Sequence, residues 1–451
     1  MPPASPLVPI AADHPGSLSA ELATIAGRQV VLVEIASGAH RGAISEADGH
    51  TFAAAATHAL RAGIPLLGLI SSSGADVNDG VAALHGWGSA AAALARCSGR
   101  VPILLAATGP VLSGPALLLG LADQVVMTDD AHAFVSGPRM VETFTGEAVD
   151  ATDLGGAAVH ATSTGVAALV VPDRDAALAA LGDILAFLPA NVDEEPPRWW
   201  TDDPTDRPTP EAGECIPASP TGGYDVRSVA AAVVDDGEIL ELRAQWAPNL
   251  VTALATVGGR PIGVLANQPV SIAGTLDIPA SQKGARFVAF CDAFGIPILT
   301  LIDTPGFYPG KDLEWRGMIR HGAQLAFAYA RATVPRVAVV LRKAYGGAYI
   351  VMDCRALGSD LYLAWPSAEI AVMGAKGAVE VLHRREAPER RAKLEAEYEE
   401  RFLNPYVAAD RGFVDAVIDP ADTRRHIAAA FEMLSTKRET LVSRAHDNTP
   451  L

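Results

Sequence analysis

Cysteine is scarce. Cys97, Cys215, Cys291 and Cys354 are the four in 451 residues. No two stand in C-x-x-C spacing, which excludes a zinc ribbon and argues against a disulfide framework. Basic charge is short as well, with 35 Lys and Arg against 52 Asp and Glu and a net charge of −17. A surface of that sign repels a phosphate backbone, so no nucleic acid is expected as a main partner. An anionic ligand held by a few local cations stays open. No run reaches the ~18 uninterrupted apolar residues of a membrane helix, and Met1 to Asp13 lacks a basic region followed by a long apolar core. No membrane partner is therefore expected, and the cytoplasm is the expected location. No Ser-His-Asp or paired-carboxylate constellation is found, and no metal is expected.

What is present is apolar mass and a repeat. Apolar residues make up 49% and charged residues 19%, enough for large cores over two to three domains at ~150 residues each. The stretch from Gly63 to Ile70 (GIPLLGLI) reappears from Gly295 to Ile302 (GIPILTLI), 232 residues on. Val101-Pro102 reappears as Val334-Pro335, and Ser113-Gly114-Pro115 corresponds to Gly346-Gly347-Ala348, both at 233. Asp123 matches Asp360, and Ser136-Gly137-Pro138 matches Met373-Gly374-Ala375, both at 237. Two unrelated α/β domains share strand-Gly-helix patterns, but not this order and spacing. The chain reads as two copies of one α/β fold, with a paired site as their product.

Residues 1–28 read as a loose lead-in. Strands are predicted over Val30–Ile35, Ile64–Ile70, Val101–Ala107 and Gln124–Thr128, with helices over Thr51–Ala62, Gly80–Cys97 and Gly114–Leu121. The last has Pro115 in its first turn. This alternation predicts a βαβ layered domain over 29–195. From 196 to 223 the chain is rich in Pro and acidic residues and reads as an interdomain linker, with Trp199-Trp200 expected to dock on a domain surface. The second copy spans 224–451 and includes a helix from about Ala421 to Met433. The charge-dense segment 384–402 reads as a solvated or subunit-contacting helix.

The chemistry is expected at the small-residue turns. A strand that ends in small residues and opens a helix leaves backbone N–H groups free to hold an oxyanion at ~3 Å. Gly114 in the first copy, and Gly346, Gly347 and Ala348 in the second, occupy such turns. A second donor is expected from the loop after the preceding strand: Ser73-Gly74-Ala75-Asp76 in one copy and Asp303-Thr304-Pro305-Gly306-Phe307 in the other. Both follow a strand's carboxyl end, where α/β layers bind ligands. For Gly74 and Gly306 simple turn formation is the competing explanation. Tyr345 and Tyr349 read equally as stacking groups or core.

Ser73 to Asp76 and Gly109 to Gly114 resemble the two oxyanion-hole segments of the crotonase superfamily. In the second half, Ala266 to Pro269, Lys283 to Val288, Asp303 to Phe307, Arg342 to Tyr349, Leu363 to Pro366, Ala371 to Ala375, Asn404 to Ala408 and Arg411 to Asp415 follow in order. Together they resemble the carboxyltransferase β subunit of biotin-dependent acyl-CoA carboxylases, from about Val30 to the C-terminus. The resemblance implies two tandem crotonase-like (ββα-superhelix) domains. The first would bind acyl-CoA, with Gly114 and Ala75 holding the thioester enolate and Gly74, Ser113 and Arg41 lining the site. The second would bind carboxybiotin on a separate carrier, with Gly347 and Ala348 facing the ureido oxygen beside Gly346, Tyr345, Gly306 and Phe307. Ile350 stands where the family's acyl-chain selectivity is thought to be set, and an apolar residue there implies short alkyl chains; ordinary packing is the competing reading. In this scheme carboxybiotin releases CO2, the biotin anion takes the α-proton and the enolate attacks CO2, so no side-chain base is needed. The partners implied are a biotin carboxylase and carrier subunit and further copies of the chain, as dimers built into a hexamer.

The first half departs from the family's pattern. Its loop Ser72-Ser73-Gly74-Ala75-Asp76 is one residue shorter, with acidic Asp76 where the family has Arg. Pro115 follows Gly114 and has no N–H to donate. Arg41 and Arg61 are the nearest cations for a CoA phosphate. These changes leave two alternatives: a biotin-independent acyl-thioester decarboxylase or acyltransferase on the same scaffold, or a non-catalytic paralogue within a carboxylase complex.

Overall fold

The computed structural model describes residues 5–6, 16–443 and 448–450. The chain divides into two compact units. The first comprises Met1–Pro197 with Arg243–Trp246, the second Arg198–Leu242 with Ala247–Leu451.

In the first unit the strands are β1 (Ser5–Pro6), β2 (Leu18–Ile25), β3 (Arg28–Ile35), β4 (Leu66–Ser72), β5 (Ile103–Leu112), β6 (Gln124–Thr128), β7 (His132–Phe134) and β8 (Leu169–Val171). They form one sheet in the order β1-β2-β3-β4-β5-β6-β8, with β7 beside the end of β5. β2 and β3 are antiparallel, and β3 onward is parallel. β4 is buried at every position, as a strand covered on both faces must be, and this is why it reads as an unbroken apolar run.

The second unit repeats the plan with β9 (Leu240–Glu241), β10 (Leu250–Val257), β11 (Arg260–Asn267), β12 (Ile298–Thr304), β13 (Arg336–Tyr345), β14 (Leu361–Ala364), β15 (Glu369–Ala371) and β16 (Ala416–Val417), in the order β9-β10-β11-β12-β13-β14-β16 with β15 on β13. The duplication extends to irregularities. The β4–β5 ladder shifts register between Ile70 and Ser72, and the β12–β13 ladder shifts between Ile302 and Thr304. Asp123 accepts from the Ile103 amide at 2.8 Å, and Asp360 from the Arg336 amide at 2.8 Å.

Two expectations are corrected. The lead-in 1–28 contains β2, joined to β3 by Ala26 and Gly27 at φ 48° and 74°. This is a tight left-handed turn that glycine permits, and Gly258 and Gly259 make its counterpart at 58° and 70°. The segment 196–223, expected as a linker, packs on the second unit from residue 198. The guanidinium of Arg424, fully buried, donates to the Asp203 and Pro204 carbonyls at 3.1 and 2.9 Å and to Asp235 at 2.7 Å. Thr209 is buried and the Trp199 amide donates to Gly259 O at 2.7 Å. Trp199 thus docks through its backbone, while the Trp200 side chain is exposed. Predicted helices begin or end a few residues away from those observed. Helix Glu46–Ala62 starts earlier than expected because Ser45 and Asp48 form a capping box. After Gly114 the helix is the single turn Ala116–Leu119, with Pro115 at its cap.

Among the described residues no helix is long and apolar enough to cross a membrane. None of them form a group of three or more His, Cys, Asp or Glu able to hold a metal ion.

Candidate active site

Each unit brings two backbone loops together at the carboxyl end of its sheet, and the two constructions match atom for atom in their hydrogen bonding. In the first, Ser72 Oγ accepts from the Gly74 amide at 3.2 Å, Gly74 O accepts from the Ile44 amide at 2.8 Å, and the Asp76 amide donates to Ile44 O at 2.9 Å. In the second, Thr304 Oγ1 accepts from the Gly306 amide at 3.4 Å, Gly306 O from the Leu276 amide at 3.1 Å, and the Tyr308 amide donates to Leu276 O at 2.8 Å. The amides between, Ala75 and Phe307, have no acceptor among the described residues. Gly74 and Gly306 lie at φ 113° and 141°, conformations that require glycine, so the turn reading and the site reading of these residues coexist.

Facing each loop is the turn after the next strand. Ser113 sits at φ 61°, and its amide is already used by Phe134 O at 2.9 Å. The Gly114 amide has no acceptor among the described residues. A Cβ at Gly74 would stand 3.4 Å from Ser113 Cβ, so the loop and turn touch. In the second unit helix Gly346–Val351 opens directly from β13, and the amides of its first turn have no intrahelical acceptor. Gly346 is at φ 59°, and a Cβ at Gly347 would meet the Phe307 ring at 3.2 Å. Ala348 is fully buried.

Beside the Gly346–Gly347 turn lies a cavity of about 610 Å3. Its walls are Tyr349, Ile350, Ile370, Ala371, Val372, Tyr398, Phe402, Val407, Ala408 and Phe413, with Arg411 as the one cation among the described residues. Ile350 therefore faces this space, 41% exposed, rather than packing in the core. Tyr345 is buried under the turn, hydrogen-bonded to Glu369, and burial pushes its phenol up. Tyr349 stacks edge-on against Tyr362 at 6.0 Å and is pushed up to about 12 by burial.

The loop after β12 is braced from below. Asp303 accepts from Arg342 Nε at 3.0 Å, Tyr224 Oη at 2.9 Å and the Lys343 amide at 3.1 Å. Burial raises its carboxyl above the usual range, and Arg342 opposes that shift. Arg342 also reaches Gly222 O at 2.9 Å, and Lys343 Nζ reaches Pro220 O at 2.7 Å, which ties the proline-rich segment to the site.

The sequence reading thus placed the loops and turns together but missed several cavity walls. Tyr398 and Phe402 lie on helix Pro388–Phe402, which was expected as a solvated or subunit-contacting surface and has no buried residue. Their i,i+4 spacing on a charged helix was the available signal. Arg41 enters through its backbone: its carbonyl accepts from the Ser73 amide at 3.1 Å while its side chain is exposed. Arg61 is not brought to the site. It lies beside Gly63, before β4, with Arg100 and Asn191 at the opposite end of the strands.

The carboxyl transferase domain family matches residues 13–449. The propionyl-CoA carboxylase beta chain of Saccharopolyspora erythraea is 44% identical over 447 residues, which cover 95% of this chain and 82% of that one. The methylmalonyl-CoA carboxyltransferase 12S subunit of Propionibacterium freudenreichii subsp. shermanii is 47% identical over 398 residues, covering 87% of this chain and 76% of that one. The crystal structure of transcarboxylase 12S with methylmalonyl-CoA and methylmalonic acid bound aligns at TM-score 0.95 and 44% identity, over 96% of this chain and 85% of that one, and that protein is described as a hexamer. The tandem crotonase-like fold expected from the sequence is borne out by this match. The chain belongs to the carboxyl transferase domain family.

Proposed function

We propose that this chain transfers a carboxyl group from carboxybiotin, held on a separate carrier protein, to the α-carbon of a short-chain acyl-CoA such as acetyl- or propionyl-CoA. The observation that carries the reading is the paired construction: two equivalent loop-and-turn sites, each with amides that have no acceptor among the described residues. The family's relatives are carboxylase and carboxyltransferase subunits, and the alternatives of a biotin-independent enzyme and a non-catalytic paralogue are not favoured.

In the first unit the Ala75 and Gly114 amides hold the thioester oxygen and stabilise the charge it gains when the α-carbon becomes nucleophilic. In the second, the Gly347 and Ala348 amides hold a carbonyl oxygen. The chemistry fits a biotin head group there: a neutral ring with an apolar arm suits an apolar cavity, and at Gly346 and Gly347 no side chain stands over the turn amides. Biotin would supply the transferable carboxyl group. Phe307 packs against Gly347, and Ile350 presents an alkyl surface to the acyl group. A biotin carboxylase with its carrier is the partner required, and copies of this chain in a dimer-based hexamer are the assembly expected, in the cytoplasm.

The test is exchange in reverse, with malonyl-CoA and methylmalonyl-CoA as donors and biocytin as acceptor. Loss of the thioester that depends on biocytin is the expected result. Loss without biocytin would instead mark a decarboxylase, and no loss would move the weight to a carrier-bound substrate or a silent paralogue.

A further inference from the structure

The acyl-side turn is one donor poorer than its counterpart. Pro115 stands where the second unit has Ala348, and proline has no N–H. The Ser113 amide is spent on Phe134 O. Only Gly114 is left on the turn, with Ala75 across from it.

Against Gly114 lies Trp87, on helix Val81–Cys97. A Cβ at Gly114 would stand 2.7 Å from Trp87 Cε2, 2.8 Å from Nε1 and 3.1 Å from Cζ2. The indole edge, nitrogen included, thus fills the space a side chain at 114 would take. Its height is set by the backbone. A Cβ at Gly49 would stand 2.0 Å from the Gly86 carbonyl carbon, and one at Gly86 2.6 Å from Ser45 O, so helices Glu46–Ala62 and Val81–Cys97 meet main chain to main chain one residue before Trp87.

The Trp87 Nε1–H is buried and has no hydrogen-bond partner among the described residues. A buried indole N–H ordinarily finds one, and leaving it orphaned is destabilising. The position 232 residues later is Ile319, which has no donor. There the ring beside the glycine is Phe307, also without a donor. The extra N–H therefore occurs only in the unit whose turn has lost an amide.

We propose that Trp87 Nε1–H is a donor of the acyl-side oxyanion site, a catalytic residue that contacts the thioester carbonyl oxygen and stands in for the amide absent at Pro115. This rests on the acyl-CoA reading of the first unit. The indole is neutral and does not titrate, so it donates at every pH where the protein is folded, and packing against Gly114 holds it in place before substrate arrives.

The experiment has two arms. In the first, the indole 1H–15N resonances of the six tryptophans are followed while propionyl-CoA is added, with the Trp87 signal assigned by its loss in Trp87→Phe and, independently, in Trp87→Tyr. A downfield shift of the Trp87 proton on binding is expected. In the second, Trp87→Phe is assayed in carboxyl exchange. It should bind propionyl-CoA within about twofold of the parent and melt no lower, because an orphaned buried donor has been removed. Its kcat should fall by about 10²-fold, the effect of deleting one oxyanion donor. Binding with an unmoved Trp87 resonance, or unchanged kcat in Trp87→Phe, would overturn the assignment. Failure of the unaltered protein to bind any acyl-CoA would overturn the functional reading and the assignment together, and is distinguishable because it appears before any substitution is made.

Discussion

The two units share a backbone and differ in how they brace it. In the second, the bulged β12–β13 ladder is filled by a buried ion pair, Asp303 with Arg342, at 2% and 9% side-chain exposure. Tyr224 closes the cluster, with the Arg342 guanidinium 5.2 Å from its ring. In the first, the equivalent residues are Ser71 and Gly109, and a Cβ at Gly109 would stand 2.6 Å from Ser71 Oγ. The same irregularity is thus held open by charge in one case and by close approach of small groups in the other. Duplication kept the position of the bulge, which re-aims the chain ends toward the site, and left its filling free to change. What the copies have in common is therefore the part the backbone dictates, and what differs is where specialisation resides.

The largest expected break of this symmetry is at the glycines of the turns. Gly347→Val places a β-branched side chain on the Phe307 ring and over the first-turn amides. Carboxyl exchange should fall by ~10²–10³, while propionyl-CoA binding, measured by calorimetry, stays within a few-fold. Equal loss of both would mean that the second unit does not act separately on the biotin side.

Next in size is the bracing itself. Asp303→Asn leaves Arg342 buried beside a neutral amide, and losing one partner of a buried pair costs about 3–5 kcal/mol. Ser71→Ala, the matching change in the first unit, should cost less than about 1 kcal/mol, because no charge is left unpaired. Chemical unfolding of both variants checks the contrast. Similar losses would mean that the bulges are held by something other than the residues filling them.

How far the sequence revealed this architecture follows the same division. The repeated GIPLLGLI and GIPILTLI segments carried the strands, the turns and their register, because buried parallel strands are written as local apolar runs. β2 was missed because LSAELATI alternates weakly and its turn, Ala26-Gly27, carries a short signal. The proline-rich segment misled for another reason: its order depends on Arg424 capturing carbonyls more than 200 residues away in sequence, which composition cannot show. Trp87 escaped too, since its meaning lies in a Pro at 115 and a glycine contact at 86, and no local pattern joins the three.

The smallest effect concerns a second charge pair that also occurs in one unit alone. Arg336 and Asp353 are buried at 2% and 0% exposure and hydrogen-bonded at 2.5 Å. Their equivalents in the first unit are Ile103 and Gly120. Asp353 closes the helix that begins at Gly346, at φ 59°, and burial pushes its carboxyl up to about 7 against the opposing pull of Arg336. An acid whose folded value lies above its unfolded one holds its proton more tightly when folded. Its contribution to stability is then complete below about pH 4, and is lost as pH rises through about 7. The melting temperature should therefore decline across that interval. Asp353→Asn, which stays neutral at every pH, should remove this slope. A slope that survives the substitution would assign the titration to another group, and the second unit would then owe none of its pH response to the pair the first unit lacks.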